Sequence, residues 1–229
     1  MKSNYLYLLI DLLCILFPLL LSFHAKAPFY KKWRETGIAI FSAGIIFIVW
    51  DEIFTQLGFW GFNVNYVMGW KLGSLPIEEI LFFIAIPYAF LFTYFVLKNS
   101  SQKNYFFSRH ELLSYALIAT MLIAGIYNLE KTYTAVTLIS VSFFLAFLTL
   151  KVPARYLGHF YVAFCFILIP FFIVNGILTG AFIDGEIVWY SEEAMMGIRL
   201  GTIPLEDLFY ALFLMLMNIS IYERVYNRA

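Results

Sequence analysis

The sequence predicts an all-α, polytopic membrane protein of about seven transmembrane helices, with two parallel three-helix repeats joined by a connector helix. Three observations carry that expectation. Of 229 residues, 62% are hydrophobic and only 13% charged, whereas a soluble domain is about a quarter charged. The apolar residues also come in blocks of about twenty, the length that crosses the roughly 30 Å hydrocarbon core of a bilayer. They do not alternate as barrel strands would, and only helices and closed barrels satisfy their backbone in lipid. Finally, one stretch occurs twice: G-W-K-L-G-S-L-P-I-E-E from Gly69 to Glu79 and G-I-R-L-G-T-I-P-L-E-D from Gly197 to Asp207.

The first span is about Ser3–Phe23. Only Lys2 precedes it and Asp11 lies inside it, so it reads as a retained span rather than a cleaved signal. The second, about Gly37–Phe54, ends on Asp51 and Glu52, and a long loop, Thr55–Leu75, follows. The third, about Pro76–Leu97, is opened by the first copy of the motif. The connector is about Leu112–Asn128. The fifth and sixth spans are about Tyr133–Leu150 and Gly158–Thr179. A second long loop, Gly180–Ile203, leads to the second motif and the seventh span, about Pro204–Tyr226. The whole chain, 1–229, reads as one membrane domain: repeat one over about 3–97, the connector over about 112–128, repeat two over about 133–226.

The basic residues are sorted by side. Lys2, Lys71, Lys131 and Arg199 fall on the side of the N-terminus. Lys26, Lys31, Lys32, Arg34, Lys98, Lys103, Arg109, Lys151, Arg155, Arg224 and Arg228 fall on the other. The positive-inside rule then predicts a multi-pass protein of the cell membrane with its N-terminus outside and its C-terminus in the cytoplasm. Both long loops and both acidic motifs lie on the outer side.

The repeat reaches beyond the motif. Asp51-x-x-x-Thr55 has a counterpart in Asn175-x-x-x-Thr179, Tyr66 and Tyr190 follow the two threonines at equal spacing, and Tyr94 matches Tyr222. The halves begin four spans apart. An even offset gives parallel repeats about an axis along the membrane normal, so the two motifs can face one cavity.

A proline at the start of a helix with acids in its first turn is ordinary for a surface helix. Here it recurs with its frame, at an apolar boundary where ionised groups are expensive and mark function. A carboxyl held out of water favours its neutral form, and a close like charge adds to this. A neutral carboxylic acid beside an ionised one is a general acid beside a general base, with no metal needed. Phe82 and Tyr210 lie four residues after the first acid of each pair, on the same helix face, and aromatic faces stabilise cations. The expected catalytic set is Glu78, Glu79, Glu206 and Asp207, with donor and acceptor unassigned. Asp51, Thr55, Asn175, Thr179, Phe82 and Tyr210 are expected to bind substrate or support the acids.

Other chemistries find little purchase. Net charge is zero, so no nucleic acid partner is expected. Cys14 and Cys165 lie within apolar runs and read as buried free cysteines. His24, His110 and His159 do not cluster, so no metal site is expected. No H-E-x-x-H, D-D-x-x-D, G-x-S-x-G, G-x-G-x-x-G or P-loop pattern occurs.

The paired P-I-E-E-I-L-F-F and P-L-E-D-L-F-Y segments, the D-E-x-x-T-x-x-G-x-W-G-F-N stretch from Asp51 to Asn63 and N-G-I-L-T from Asn175 to Thr179 resemble the lycopene cyclase domain family. The resemblance covers nearly the whole chain. The second half lacks a counterpart in sequence to Trp60-Gly61-Phe62-Asn63. The resemblance implies a substrate, lycopene, taken from the bilayer, and closure of its linear ψ-ends to β-rings, through γ-carotene to β-carotene, without net redox change. It also implies no flavin cofactor, since the flavin-dependent cyclases carry a dinucleotide fingerprint absent here. Two other readings suit the same acids: a proton-coupled transporter with the carboxyls as a relay, and a carotenoid-binding protein without catalysis. Oligomeric state is open at this stage.

Overall fold

The computed structural model describes residues 4–100, 110–152, 154 and 156–226. Ser3, Lys2, Lys103, Arg109, Arg155 and Arg228 of the readings above lie outside them.

Seven helices carry the described chain. They are α1 (Leu6–Leu21), α2 (Trp33–Gln56), α3 (Ile77–Ser100), α4 (His110–Tyr127), α5 (Thr132–Leu150), α6 (Leu157–Leu178) and α7 (Leu205–Tyr226). Six, α2 to α7, are long and apolar enough to cross a membrane, and α1 is a shorter apolar helix of 16 residues. The protein is nearly all-α and multi-pass. The second helix begins before its apolar run. A 3-10 turn, Phe29–Lys32, leads straight into Trp33-Arg34-Glu35-Thr36, and no glycine or proline interrupts that polar turn before Gly37. Lys32 pairs with Glu35 there at 3.5 Å. Both cysteines are free, but Cys165 is exposed on the outer face of α6 and Cys14 is half-buried, so the expectation of burial was too simple. In a bilayer an exposed thiol faces lipid at little cost.

Six short strands shape the two long loops: β1 (Trp60–Phe62), β2 (Lys71–Leu72), β3 (Leu75–Pro76), β4 (Val188–Tyr190), β5 (Arg199–Leu200) and β6 (Ile203–Pro204). The repeated L-G-[S/T]-[L/I] encodes a two-residue hairpin, β2 with β3 and β5 with β6. Gly73 and Gly201 open the two turns at φ 65° and 69°, a conformation that L side chains pay for and glycine does not. Each hairpin is tied to the helix it precedes. Ile77 N–H donates to the Trp70 carbonyl and Leu205 N–H to the Ile198 carbonyl, both at 2.9 Å. The prolines therefore end β3 and β6, and the helices start one residue later than the sequence suggested.

β1 and β4 pair antiparallel, one from each half, with Gly61 opposite Trp189. These partners stand 128 positions apart in the chain, as do Glu79 and Asp207. Trp60-Gly61-Phe62 thus has a spatial counterpart in Val188-Trp189-Tyr190, although the residues differ. The same register corrects the pairing of Tyr66 with Tyr190. Tyr7 N–H donates to the Tyr66 carbonyl and Tyr133 N–H to the Ala194 carbonyl, so Tyr66 corresponds to Ala194 and Tyr190 to Phe62. The equal spacing from Thr55 and Thr179 misled because the second loop is four residues longer at its start.

The helices interlock across the halves. α3 and α7 are central. α1 packs on α3 and α5 on α7, while α2 of the first half lies against α7 and α6 of the second lies against α3; α4 rides on α5 at the edge. Phe83, Phe90, Leu91, Leu145, Phe160, Leu216 and Ile219 fill the centre, and Phe17, Phe41, Phe143 and Ile169 cover the outer face. Lipid tails are as apolar as this core, so close packing and interhelical hydrogen bonds supply the cohesion. At the end remote from the motifs, buried Glu223 accepts from the Tyr94 hydroxyl and from Lys98, each at 2.6 Å. Ser22 and Tyr88 join α1's end to α3 at 2.7 Å, and Ser114 and Tyr161 join α4 to α6 at 2.6 Å.

Candidate active site

The hairpins deliver the start of α3 and the start of α7 side by side, and between them a cavity opens. It holds about 1070 Å³ of empty space, its open mouth included. On α3 its wall is Glu79, Phe82, Ile86 and Ala89; on α7 it is Asp207, Tyr210, Ala211, Leu214 and Met215. Spacings of three and four keep each set on one helical face. Ten residues from Glu79 to Ala89 rise about 15 Å. α6 closes one side with Phe164, Ile167, Phe171, Val174, Asn175 and Leu178. The result is a long apolar body with a polar head.

Three carboxyls form that head. Glu79, Asp51 and Asp207 all line the cavity and are buried, between 3% and 7% exposed, so each depends on protein partners. Asp207 is the best supplied. The Tyr133 hydroxyl donates to its Oδ1 at 2.6 Å, the Tyr190 hydroxyl to its Oδ2 at 2.9 Å and the Asn175 amide to the same oxygen at 3.3 Å. Burial, then the Asp207 charge, push the Tyr190 hydroxyl above the usual phenol range, so it stays a donor. Glu79 takes one hydroxyl, from Tyr7 at 2.6 Å, and Asp51 takes one, from Tyr210 at 2.6 Å. Glu79 and Asp51 are neighbours at the head of the cavity; ionised carboxylates only accept, so a hydrogen bond between the two would need a proton on one of them.

Glu78 and Glu206, by contrast, face away from the cavity. Each is fully buried and holds the loop before its own helix. Met68 N–H donates to Glu78 Oε1 at 2.6 Å and Met196 N–H to Glu206 Oε1 at 2.8 Å. The Thr134 hydroxyl also donates to Glu206. The two acids of each pair, adjacent in sequence, point about 100° apart around the helix and so meet different surroundings. Of the supporting residues expected from sequence, Asp51, Asn175, Phe82 and Tyr210 line the cavity and Thr55 and Thr179 do not. The Thr179 hydroxyl is bonded instead to the Asn175 carbonyl at 2.7 Å and to Thr202 at 2.8 Å, which fastens α6 to the second hairpin.

Sequence reasoning missed the tyrosines. Tyr7 and Tyr133 sit at equivalent places at the start of α1 and α5, and each donates to the cavity acid of its own half. Superposing span one on span five would have exposed the pair. Trp60 was quoted for its motif alone. Its ring centroid lies 5.0 Å from Tyr133, 6.2 Å from Tyr190 and 6.3 Å from Tyr210, so four rings stand around Asp207. Such a box suits a cation generated beside it.

The lycopene cyclase family model matches residues 4–97 and 130–225, each covering one half of the duplicated structure. The chain belongs to the lycopene cyclase family. The match leaves out α4, which contributes nothing to the cavity wall. Two fungal relatives named bifunctional lycopene cyclase/phytoene synthase are similar to it. That from Pyrenophora tritici-repentis is 31% identical over 77 residues, 34% of this chain and 12% of the relative. That from Aspergillus oryzae is 25% identical over 181 residues, 77% of this chain and 27% of the relative. The chain therefore spans about a quarter of the longer of these two matches' own protein. No solved structure matches. Membership in the lycopene cyclase family and six helices long and apolar enough to cross a membrane are the two findings on which a functional reading rests.

Proposed function

We propose that the chain is a lycopene cyclase that closes the linear ψ-ends of lycopene to β-rings, giving γ-carotene and then β-carotene, as an isomerase with no net redox change. The observation that carries this is the cavity itself: three carboxyls and a ring of aromatic faces at the head of a long apolar groove. An end group lying in the groove brings its terminal alkene to the acids while the polyene trails toward lipid.

Glu79 and Asp51, which share a proton, serve as the general acid. Their proton adds to C2 of the end group and leaves a cation at C1. The C5–C6 double bond attacks C1, forming the C1–C6 bond and moving the positive charge to C5. Trp60, Tyr133, Tyr190 and Tyr210 face that charge. Asp207, ionised and held by three donors, takes the proton from C6, and the electron pair of that bond becomes the C5–C6 double bond of the β-ring. One proton enters and one leaves, so atoms and electrons balance without a cofactor. Proton transfer by positioned groups of this kind contributes about 10²–10⁴-fold. Glu78 and Glu206 act by holding Met68 and Met196, and so the loops that roof the cavity. The repeats with their connector form one unit, since β1 with β4, α2 with α7 and α6 with α3 join the halves. The charge sorting supports an outer-facing site and a cytoplasmic C-terminus.

Expression in a lycopene-accumulating host tests the reading. The pigment shifts to β-carotene if it holds. Unchanged lycopene, with the protein present in the membrane, refutes it.

A further inference from the structure

A pocket on a pseudo-twofold maps onto itself, and the head of this cavity does so, being lined by Glu79 with Asp207, Tyr7 with Tyr133 and Phe82 with Tyr210; its apolar body lies to one side, along α6, so a symmetrical chain would carry a twin body along α2. We propose that the twin pocket has been closed by Phe47, Trp50 and Phe83, so that the two ends of a symmetrical substrate use one cavity in turn. This deepens the cyclase reading and rests on it.

The residues can be matched one by one. α6 corresponds to α2 through Asn175 with Asp51 and Thr179 with Thr55, and α7 to α3 through Asp207 with Glu79. In the open cavity α6 presents Phe171 and Val174, and α7 presents Ala211. The corresponding positions of the other half hold Phe47, Trp50 and Phe83. Two of the three exchanges replace a small side chain by a large ring. Those rings are packed solid. Phe47 lies 6.1 Å from Trp50, 6.2 Å from Phe83, 5.2 Å from Tyr210 and 5.3 Å from Phe213, centroid to centroid. Phe47 and Phe83 are 0% and 1% exposed, and none of Phe47, Trp50 and Phe83 lines the open cavity.

The helices differ accordingly. α2 packs along both α3 and α7, whereas α6 packs along α3 and touches α7 only lightly. Pro170 lies inside α6 and lines the open cavity. Its counterpart in α2 is Ile46, and α2 contains no proline. A proline within a helix removes one backbone hydrogen bond and bends the helix. α6, with Pro170 in the cavity wall, makes little contact with α7, and the groove lies between them. The polar head is unequal too, since Asp51 with Glu79 supplies the proton and Asn175 with Asp207 does not. A substrate end therefore has one place to react. After the first ring closes, the half-cyclised molecule must leave the groove and return other end first.

The test uses the purified full chain in liposomes carrying labelled lycopene. Labelled monocyclic product should appear first. A chase of excess unlabelled lycopene added at that moment should lower the label reaching the bicyclic product at least about fivefold. Bicyclic product that forms without a monocyclic stage and ignores the chase overturns the inference. Ala211→Phe and Val174→Trp, made separately, copy the closed twin into the open cavity. Each should cut both ring closures at least about tenfold, and lycopene quenching of tryptophan fluorescence, saturating at one per chain in the parent, should be lost in Ala211→Phe. Retained binding and rate in a folded Ala211→Phe overturns the inference; should that variant misfold, the chase on the parent decides alone. Binding at one per chain with no ring closure at all removes the cyclase reading but leaves the single cavity standing.

Discussion

Adjacent acids with different duties give a sharp test, because the same conservative change should act very differently at neighbouring positions. On the proposed mechanism, Glu79→Gln keeps shape and volume but removes the proton that Glu79 and Asp51 would hold, and the general-acid contribution is lost, about 10²–10⁴-fold in rate. Glu78→Gln keeps an amide oxygen able to accept from Met68 N–H, now 2.6 Å from Glu78 Oε1. What is lost is the difference between a charge-assisted and a neutral hydrogen bond, about 1 kcal/mol, or roughly fivefold in any equilibrium it controls. Initial rates of lycopene consumption by purified variants in liposomes separate the two, with thermal unfolding in detergent as a check on folding. Glu79→Gln should fall at least about a hundredfold with an unchanged melting temperature. Glu78→Gln should lose a few-fold at most and melt lower. Equal loss in two folded variants, or an active Glu79→Gln, would refute the division of labour. The second half repeats the experiment: Asp207→Asn should behave as Glu79→Gln does, and Glu206→Gln as Glu78→Gln does.

Three further outcomes follow from the same geometry. Asp51→Asn offers Glu79 an amide donor in place of a shared proton, so its rate should fall at least about a hundredfold while lycopene binding, read by fluorescence quenching, persists. Tyr133→Phe and Tyr190→Phe each remove one hydroxyl from Asp207; hydrogen bonds to charged groups are worth about 1.5–3 kcal/mol, so each should lower the rate about tenfold or more, and the pair together more than either alone. Lys98→Met leaves buried Glu223 with the Tyr94 hydroxyl, at the far end from the cavity. Breaking a buried pair costs about 3–5 kcal/mol; because the Lys98 side chain keeps 32% of its surface, a loss nearer 2 kcal/mol is expected, seen as a lower melting temperature with unchanged specific activity.

The helices were legible because each is an apolar block; their ends shifted by up to four residues, most where the polar turn Trp33–Thr36 extends α2, and Pro76 and Pro204 joined strands instead of helices. The hairpins were written in the L-G-[S/T]-[L/I] of each motif, but the first reading took those residues as the frame of a helix start. The four acids were singled out in sequence, but not that Glu79 and Asp207 would line the cavity while Glu78 and Glu206 would not. Nothing in P-I-E-E says that Glu78 turns toward Met68 while Glu79 turns toward Tyr7, because that depends on where α1 packs. Tyr7 and Tyr133 stand among 16 tyrosines, and only their matching bonds to Glu79 and Asp207 distinguish them. Asp51 was recognised by its alignment with Asn175, and that alignment held because no insertion lies between Asp51 and Thr55 or between Asn175 and Thr179.

Acid–base chemistry explains why a duplicated site should not stay symmetrical. Protonation at C2 and deprotonation at C6 need two carboxyls in opposite states within one groove. Two identical half-sites would give Glu79 and Asp207 the same surroundings, and neither state would be preferred for either group. The substitution that breaks the tie is Asp51 against Asn175. In the proposed mechanism the acid beside Glu79 shares a proton with it and keeps a donor ready; the Asn175 amide beside Asp207 gives a hydrogen bond but no proton, and it favours the ionised base. The same break in symmetry fills one pocket with Trp50 and Phe83 and leaves Val174 and Ala211 in the other. Duplication is what permits both changes, since each copy carries its own residue at each position. On the proposed mechanism, polarity of the head and closure of the twin are two consequences of one divergence, and the first of them sets the direction in which the proton crosses the substrate.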